Sequence, residues 1–128
     1  LKRLFAEGCR MNFLPESLSD APLLEELYLS GNRLTEMPDS FNQLMHLRIL
    51  DLSNNKFKQC PRIVCRLKQL NKLLLHKNPL RDIEPKLLSQ LYKLTDLQLP
   101  EIIAKNKMET LKDWLPDVDF DKPYWHFD

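Results

Sequence analysis

Glycine occurs only twice in these 128 residues, at Gly8 and Gly31, so no loop is rich enough in glycine to wrap a phosphate. Cysteine occurs three times and never as Cys-x-x-Cys. The closest pair, Cys60 and Cys65, is five apart, which does not match paired zinc ligands. The three histidines, His46, His76 and His126, fall on segments that should not converge, and no Ser or Cys has a general base beside it by position. No catalytic residue, metal site, cofactor or small-molecule substrate is therefore expected. Charge of one sign is also lacking: 19 Lys and Arg stand against 18 Asp and Glu, leaving +1. A nearly neutral chain has no global attraction to nucleic acid. Apolar stretches are broken every few residues by Lys, Arg, Glu or Asn, so none approaches the roughly 20 residues that cross a membrane.

What the chain does have is leucine in a fixed rhythm. Leu1, Leu24, Leu47 and Leu70 open four copies, followed three residues on by Leu4, Leu27, Leu50 and Leu73. Ala6, Leu29, Leu52 and Leu75 come next, then Cys9, Asn32, Asn55 and Asn78, then Met11, Leu34, Phe57 and Leu80. Leu14, Met37, Cys60 and Ile83 precede Pro15, Pro38 and Pro61, and Leu18, Phe41, Val64 and Leu87 close the set. The period is 23 residues for three copies and 24 for the fourth. A fifth begins at Leu94, Leu97 and Leu99, but Ile102 stands where Asn should, so the array ends there. This wording resembles the leucine-rich repeat family, in its 23-residue intracellular subclass with Leu-Pro after the Asn. The resemblance covers about three quarters of the chain and implies an α/β fold. That fold is a right-handed solenoid with a curved parallel sheet on its concave face and short helical turns on its convex side.

The spacing has a physical reading of its own. The fourth and sixth positions are two apart, so in a strand both point to one face, and that face is buried. Each copy then returns along the outer side, where Ser17-Leu18, Ser40-Phe41, Ile63-Val64 and residues 86–90 fit short helical turns. Asn at the ninth position can both donate and accept, so stacked Asn32, Asn55 and Asn78 should satisfy loop backbone groups otherwise buried unpaired, at about 1–3 kcal/mol each. Cys9 replaces the first Asn, and the ladder is expected to fray there. Gly8 and Gly31 share the eighth position, where a tight departure from the strand is needed.

No single copy can bury its own apolar face, so both ends of the array need cover. At the C-terminal end, Asn106 and Glu109 have capping-box spacing, and Met108, Leu111 and Leu115 recur at helical spacing beside Trp114 until Pro116. The division expected is repeats over 1–99, a capping helix over 100–116 and an acidic-aromatic tail over 117–128. No capping segment precedes Leu1, which favours a fragment of a longer array over an exposed first strand. Secreted members of the family usually have disulfide-linked caps, whereas residues 99–128 contain no Cys. Cys9, Cys60 and Cys65 lie within the repeats, with Cys60 on a core position and Cys65 on an outer turn. Reduced structural thiols and an intracellular location, in the cytoplasm or also the nucleus, are the expectation.

The remaining strand positions should project from the concave face. Their columns are Arg3, Glu26, Ile49, Lys72 and Asp96; Phe5, Tyr28, Asp51, Leu74 and Gln98; and Glu7, Ser30, Ser53, His76 and Pro100. Phe5 and Tyr28 should be neighbours about 5 Å apart, with Ile49 diagonally beyond. An aromatic pair beside an aliphatic residue, edged by Arg3, Glu26, Asp51 and Lys72, has the composition of a small interface centre with a charged rim. The alternative is that the rings pack only on one another or on missing N-terminal repeats. His76, Lys77 and Lys72 form a smaller basic spot that could meet an acidic segment or a phosphate, although a solvated rim is the favoured reading. In the tail, Phe120, Tyr124, Trp125 and Phe127 alternate with Asp residues, as a docking peptide would. They could instead fold back over the last repeat.

These residues point to a non-catalytic protein-binding module, an adaptor or scaffold in signalling or a regulatory subunit. It would hold a protein partner on Phe5, Tyr28, Ile49 and Leu74, without nucleic acid, membrane or small molecule. Two other readings stand beside it. One is a structural component of a large multiprotein assembly; the other is the substrate-recognition part of an enzyme, such as a ubiquitin ligase, whose catalytic region lies elsewhere.

Overall fold

A computed structural model of the chain describes residues 1–120. Five three-residue strands, β1 (Arg3–Phe5), β2 (Glu26–Tyr28), β3 (Ile49–Asp51), β4 (Lys72–Leu74) and β5 (Asp96–Gln98), form one parallel sheet in chain order. The leucine rhythm sets the register: Leu4 pairs with Leu27, Leu27 with Leu50, Leu50 with Leu73 and Leu73 with Leu97. Because the pleat alternates faces, these central leucines all enter the interior, and Leu27, Leu50 and Leu73 are fully buried. The ladder continues past each strand, with the backbone N–H of Leu29 donating to the Asp51 carbonyl and that of Leu52 to the Leu74 carbonyl, both at 2.9 Å. Leu29, Leu52 and Leu75 are thereby locked into the same core.

The chain leaves every strand through the same turn. The eighth position is left-handed in all four copies, with φ of +64° at Gly8, +73° at Gly31, +53° at Asn54 and +58° at Lys77. Two copies meet this demand with glycine and one with asparagine, the other residue type that tolerates it. One residue later comes the amide ladder. Asn55 Nδ2 donates to the carbonyls of Leu29 at 2.9 Å, Leu52 at 3.1 Å and Ser53 at 3.0 Å, while its Oδ1 accepts from the Leu34 N–H at 3.1 Å. Asn78 does the same one copy on, bonding the Leu52 and Leu75 carbonyls and the Phe57 N–H. Asn32 Oδ1 accepts from both Cys9 and Met11 N–H at 3.0 Å. Each amide thus serves the preceding copy as well as its own. The backbone of Cys9 is held by Asn32, although its thiol is exposed and reaches only the Glu7 carbonyl, at 3.5 Å.

On the return side, Pro15, Pro38 and Pro61 sit just before 3₁₀ helices at Glu16–Asp20, Asp39–Gln43 and Arg62–Arg66. Proline presets φ near −60° and withdraws a donor that a helix start cannot use. In the fourth copy the extra residue lets Pro85 open a true α turn, α1 (Pro85–Leu88). Phe41, Ile63 and Val64 are buried beneath these turns. So is Cys65, while Cys60, expected to be buried on its core position, is only half-buried.

Beyond β5 the chain enters α2 (Glu101–Trp114). The capping box expected at Asn106 and Glu109 is absent: the helix starts six residues earlier, directly after Pro100, and Asn106 is an exposed interior residue. The cause is Ile103, which extends the apolar stripe by two turns. Ile103, Leu111 and Leu115 are buried, with the half-buried Lys107 on the same line. Lys107 lays its stem along the core and places Nζ 2.7 Å from Asp82 Oδ1. Trp114 stays 45% exposed. After the helix, the Asp119 N–H donates to the Thr95 carbonyl at 3.2 Å, and Phe120 packs half-buried against the core.

Candidate functional site

With the central residue of each strand facing inward, its two neighbours face outward on the open side of the sheet. Arg3, Glu26, Ile49, Lys72 and Asp96 form one register column there, and Phe5, Tyr28, Asp51, Leu74 and Gln98 the other. Phe5 and Tyr28 stack face to face with centroids 4.6 Å apart and planes within 2°. Phe5 remains 63% exposed on the outermost strand, Tyr28 is half-buried, and so is Ile49 beyond it.

The rings are held from below by one carboxylate. Glu26 is buried to 8% exposure; its Oε1 accepts from the Tyr28 hydroxyl at 2.6 Å and its Oε2 from Arg3 Nε at 3.0 Å. Arg48, which reasoning from the sequence missed, adds a contact from Nη2 to Glu26 Oε2 at 3.7 Å and a hydrogen bond from Nε to Glu25 Oε1 at 3.1 Å. A signal for it existed in the second repeat position, where Lys2, Glu25 and Arg48 alternate in sign along adjacent copies. The Tyr28 hydrogen bond above all, with Arg3 after it, outweighs burial and holds the Glu26 carboxyl below its ordinary value. Burial, then the bond to Glu26, pushes the Tyr28 hydroxyl up to about 12. The ring pair therefore stands on a charged foundation that fixes one Tyr28 rotamer.

The other half of the face differs from expectation. Leu74 is only 4% exposed and His76 6%, so neither is presented to a partner in this structure, and the basic spot around His76 does not form as an open surface. Leu74 lies in an interior strand, flanked in register by Asp51 and Gln98, which are themselves buried. It is at the bottom of the face, whereas Phe5 on an edge strand has a neighbour on one side only. Asp51 turns back to accept from the Ser53 hydroxyl at 2.7 Å and the Ser53 N–H at 3.0 Å. Asp96 accepts from Gln98 at 3.1 Å and lies 3.9 Å from Lys72. Of the tail aromatics only Phe120 is described, and it faces the core; Tyr124, Trp125 and Phe127 lie outside the described residues, as does His126.

The family assignment rests on the repeats that build this sheet. The leucine rich repeat family model matches residues 10–57 and 22–80. The chain belongs to the leucine-rich repeat family. Among solved structures, a leucine-rich repeat protein of Leptospira interrogans is similar with a TM-score of 0.77 and 35% identity, over 86% of this chain and 28% of that one. The BIR3–SERK2 complex of Arabidopsis thaliana gives 0.66 and 36% identity over 76% of this chain and 54% of that one. The TLR13–ssRNA13 complex gives 0.67 and 31% identity over 76% and 14%. This leucine-rich repeat chain thus spans less than two thirds of each of them. No curated protein sequence matches it.

Among the described residues of this leucine-rich repeat chain, no group of three His, Cys, Asp or Glu side chains could hold a metal ion. No described helix is long and apolar enough to cross a membrane. Burial pushes the Cys60 and Cys65 thiols above their ordinary range, away from the nucleophilic thiolate. Both line a groove of about 490 Å³ between the second, third and fourth copies, on the loop and return side of the solenoid. Periodicity gave no hint of that groove, because it arises where the side chains of three copies fail to meet.

Proposed function

We propose that this leucine-rich repeat chain is a non-catalytic interaction module, an adaptor or regulatory subunit acting inside the cell, that binds a protein partner on the open face of its sheet. The observation that carries this reading is the Phe5–Tyr28 stack. It is an exposed aromatic surface whose geometry is already fixed by the Glu26 hydrogen bond and by its neighbour ring. A ring ordered before binding loses little entropy on association, and aromatic residues inside a charged rim dominate interface energies. Arg3 and Arg48 supply that rim, with Ile49 extending the apolar centre. The Arabidopsis structure among its likenesses is a complex of two named proteins, BIR3 and SERK2, which supports a protein as the partner.

Phe5→Ala is the discriminating variant. Phe5 is mostly exposed, so its loss should leave the melting temperature nearly unchanged. Proteins retained by the immobilised wild-type chain should be compared with those retained by Phe5→Ala, and the affinity of any differing partner measured by calorimetry. The expected loss is about 2 kcal/mol, or about 30-fold in Kd. Unchanged retention and affinity would end the assignment to this face.

A further inference from the structure

A second surface lies where each strand gives way to its loop. The tenth repeat position holds Arg10, Arg33 and Lys56, and the twelfth holds Lys58 and Arg81 in the third and fourth copies; all are exposed. The backbone fixes the column: the Arg33 N–H donates to the Met11 carbonyl and the Lys56 N–H to the Leu34 carbonyl, both at 2.8 Å. Arg33 and Lys56 therefore leave the same edge one strand spacing, ~4.8 Å, apart, while Arg10, left-handed at φ +56°, extends the row from a different backbone conformation. Cations on the sheet side are neutralised, since Lys2, Arg3, Arg48 and Lys72 each meet a carboxylate. Among the described residues none of Arg10, Arg33, Lys56, Lys58 and Arg81 takes part in an ion pair. Like charges stacked in register repel one another, and an anion laid along the column would relieve that repulsion.

The column runs into the groove described above. Lys58 and Arg81 form part of its wall, while Met37, Ile63 and Leu88, all buried core residues, form its apolar floor. We propose that this edge docks an extended acidic segment of a partner protein. Its carboxylates lie along Arg10, Arg33 and Lys56, and one apolar side chain enters the groove over Met37, Ile63 and Leu88. A protein segment fits better than a nucleic acid strand. Glu36, Asp39, Asp82 and Glu84 also line the groove and would repel a continuous phosphate backbone, whereas a peptide can place an uncharged residue there. The loops offer one exposed aromatic beside the column, Phe13, too few to stack a run of bases. This surface is separate from the Phe5–Tyr28 face and does not depend on it.

The test uses the full chain and a fluorescein-labelled peptide of alternating Glu and Ser ending in Leu, followed by anisotropy. Saturable binding is expected, weakened about tenfold or more by Arg33→Glu with Lys56→Glu, and similarly when salt rises from about 50 to about 200 mM. Replacing the terminal Leu of the peptide by Ser should weaken binding several-fold, and Phe5→Ala should leave it unchanged. Circular dichroism checks the fold of the charge-reversed protein, and Arg33→Ser with Lys56→Ser provides a milder pair expected to weaken binding by a smaller factor. Absence of saturable binding, binding indifferent to both pairs of substitutions or to the terminal Leu, or loss in Phe5→Ala would each overturn the proposal. So would tighter binding of an oligothymidylate of equal charge, which would assign the edge to nucleic acid.

Discussion

Single residues carry three separable burdens in this fold, and each can be measured alone. Gly8 and Gly31 share a left-handed turn, but a Cβ at Gly8 would meet nothing within 4 Å, whereas at Gly31 it would lie 3.4 Å from the Gly8 nitrogen. Since 3.4 Å is an ordinary van der Waals contact, Gly8→Ala and Gly31→Ala should each cost about 1 kcal/mol, the backbone preference alone, as read from chemical denaturation. Asn55 satisfies backbone groups in two copies at once, and Asn55→Ala should cost about 3 kcal/mol or more because several buried groups lose their partner together. Cys9→Ala, at the equivalent position, should cost almost nothing. Glu26 gives a pH signature. Its folded carboxyl is held below the ordinary 4.5, so the folded state binds that proton more weakly than the unfolded state. The stability it contributes is complete above about pH 4.5 and is lost as pH falls through the depressed value. Urea midpoints across pH 3 to 6 should therefore fall less steeply at the acid end in Glu26→Gln than in the wild type. An unchanged slope would show that Glu26 is not the group responsible.

At the scale of elements, the C-terminal helix is the cover of the core rather than an appendage. Leu111 is fully buried and Trp114 is 45% exposed, so Leu111→Ala should destabilise by about 2–5 kcal/mol while Trp114→Ala shifts the midpoint only slightly. How well α2 could be read from the sequence shows where periodicity works. Leu111 and Leu115 were legible as a helical stripe because burial repeats every three or four residues. The start was not, because the Asn106 and Glu109 spacing imitates a cap without being one; Pro100 ends β5's segment and Ile103 already faces inward. Strands were easier. Short strands anchored on fixed leucines leave no freedom of register, so the repeat spacing alone places Phe5 and Tyr28 side by side. Exposure was not legible in the same way, because parity says which face a side chain leaves but not how deep its neighbours stand. Leu74 and Phe5 have the same parity and opposite accessibility for that reason.

The molecule as a whole is a row of units, each in contact with the next, so its stability should grade along the row instead of being uniform. Leu4 on the edge strand is only half-buried, while Leu27, Leu50 and Leu73 are closed to solvent. Amide exchange should accordingly be fastest in residues 1–14 and slowest between Leu47 and Leu75; uniform protection would mean that the row opens as one block. The candidate interface lies at the faster-exchanging end, where the sheet is least enclosed by neighbours. The asparagine ladder adds a direction to this row. Because each amide reaches back to the turn before it, a turn leaving the ribosome stays incomplete until its successor has been synthesised, 23 residues later for most copies. Synthesis and closure therefore run in the same order through the first three turns, with Asn32, Asn55 and Asn78 each sealing the one already made.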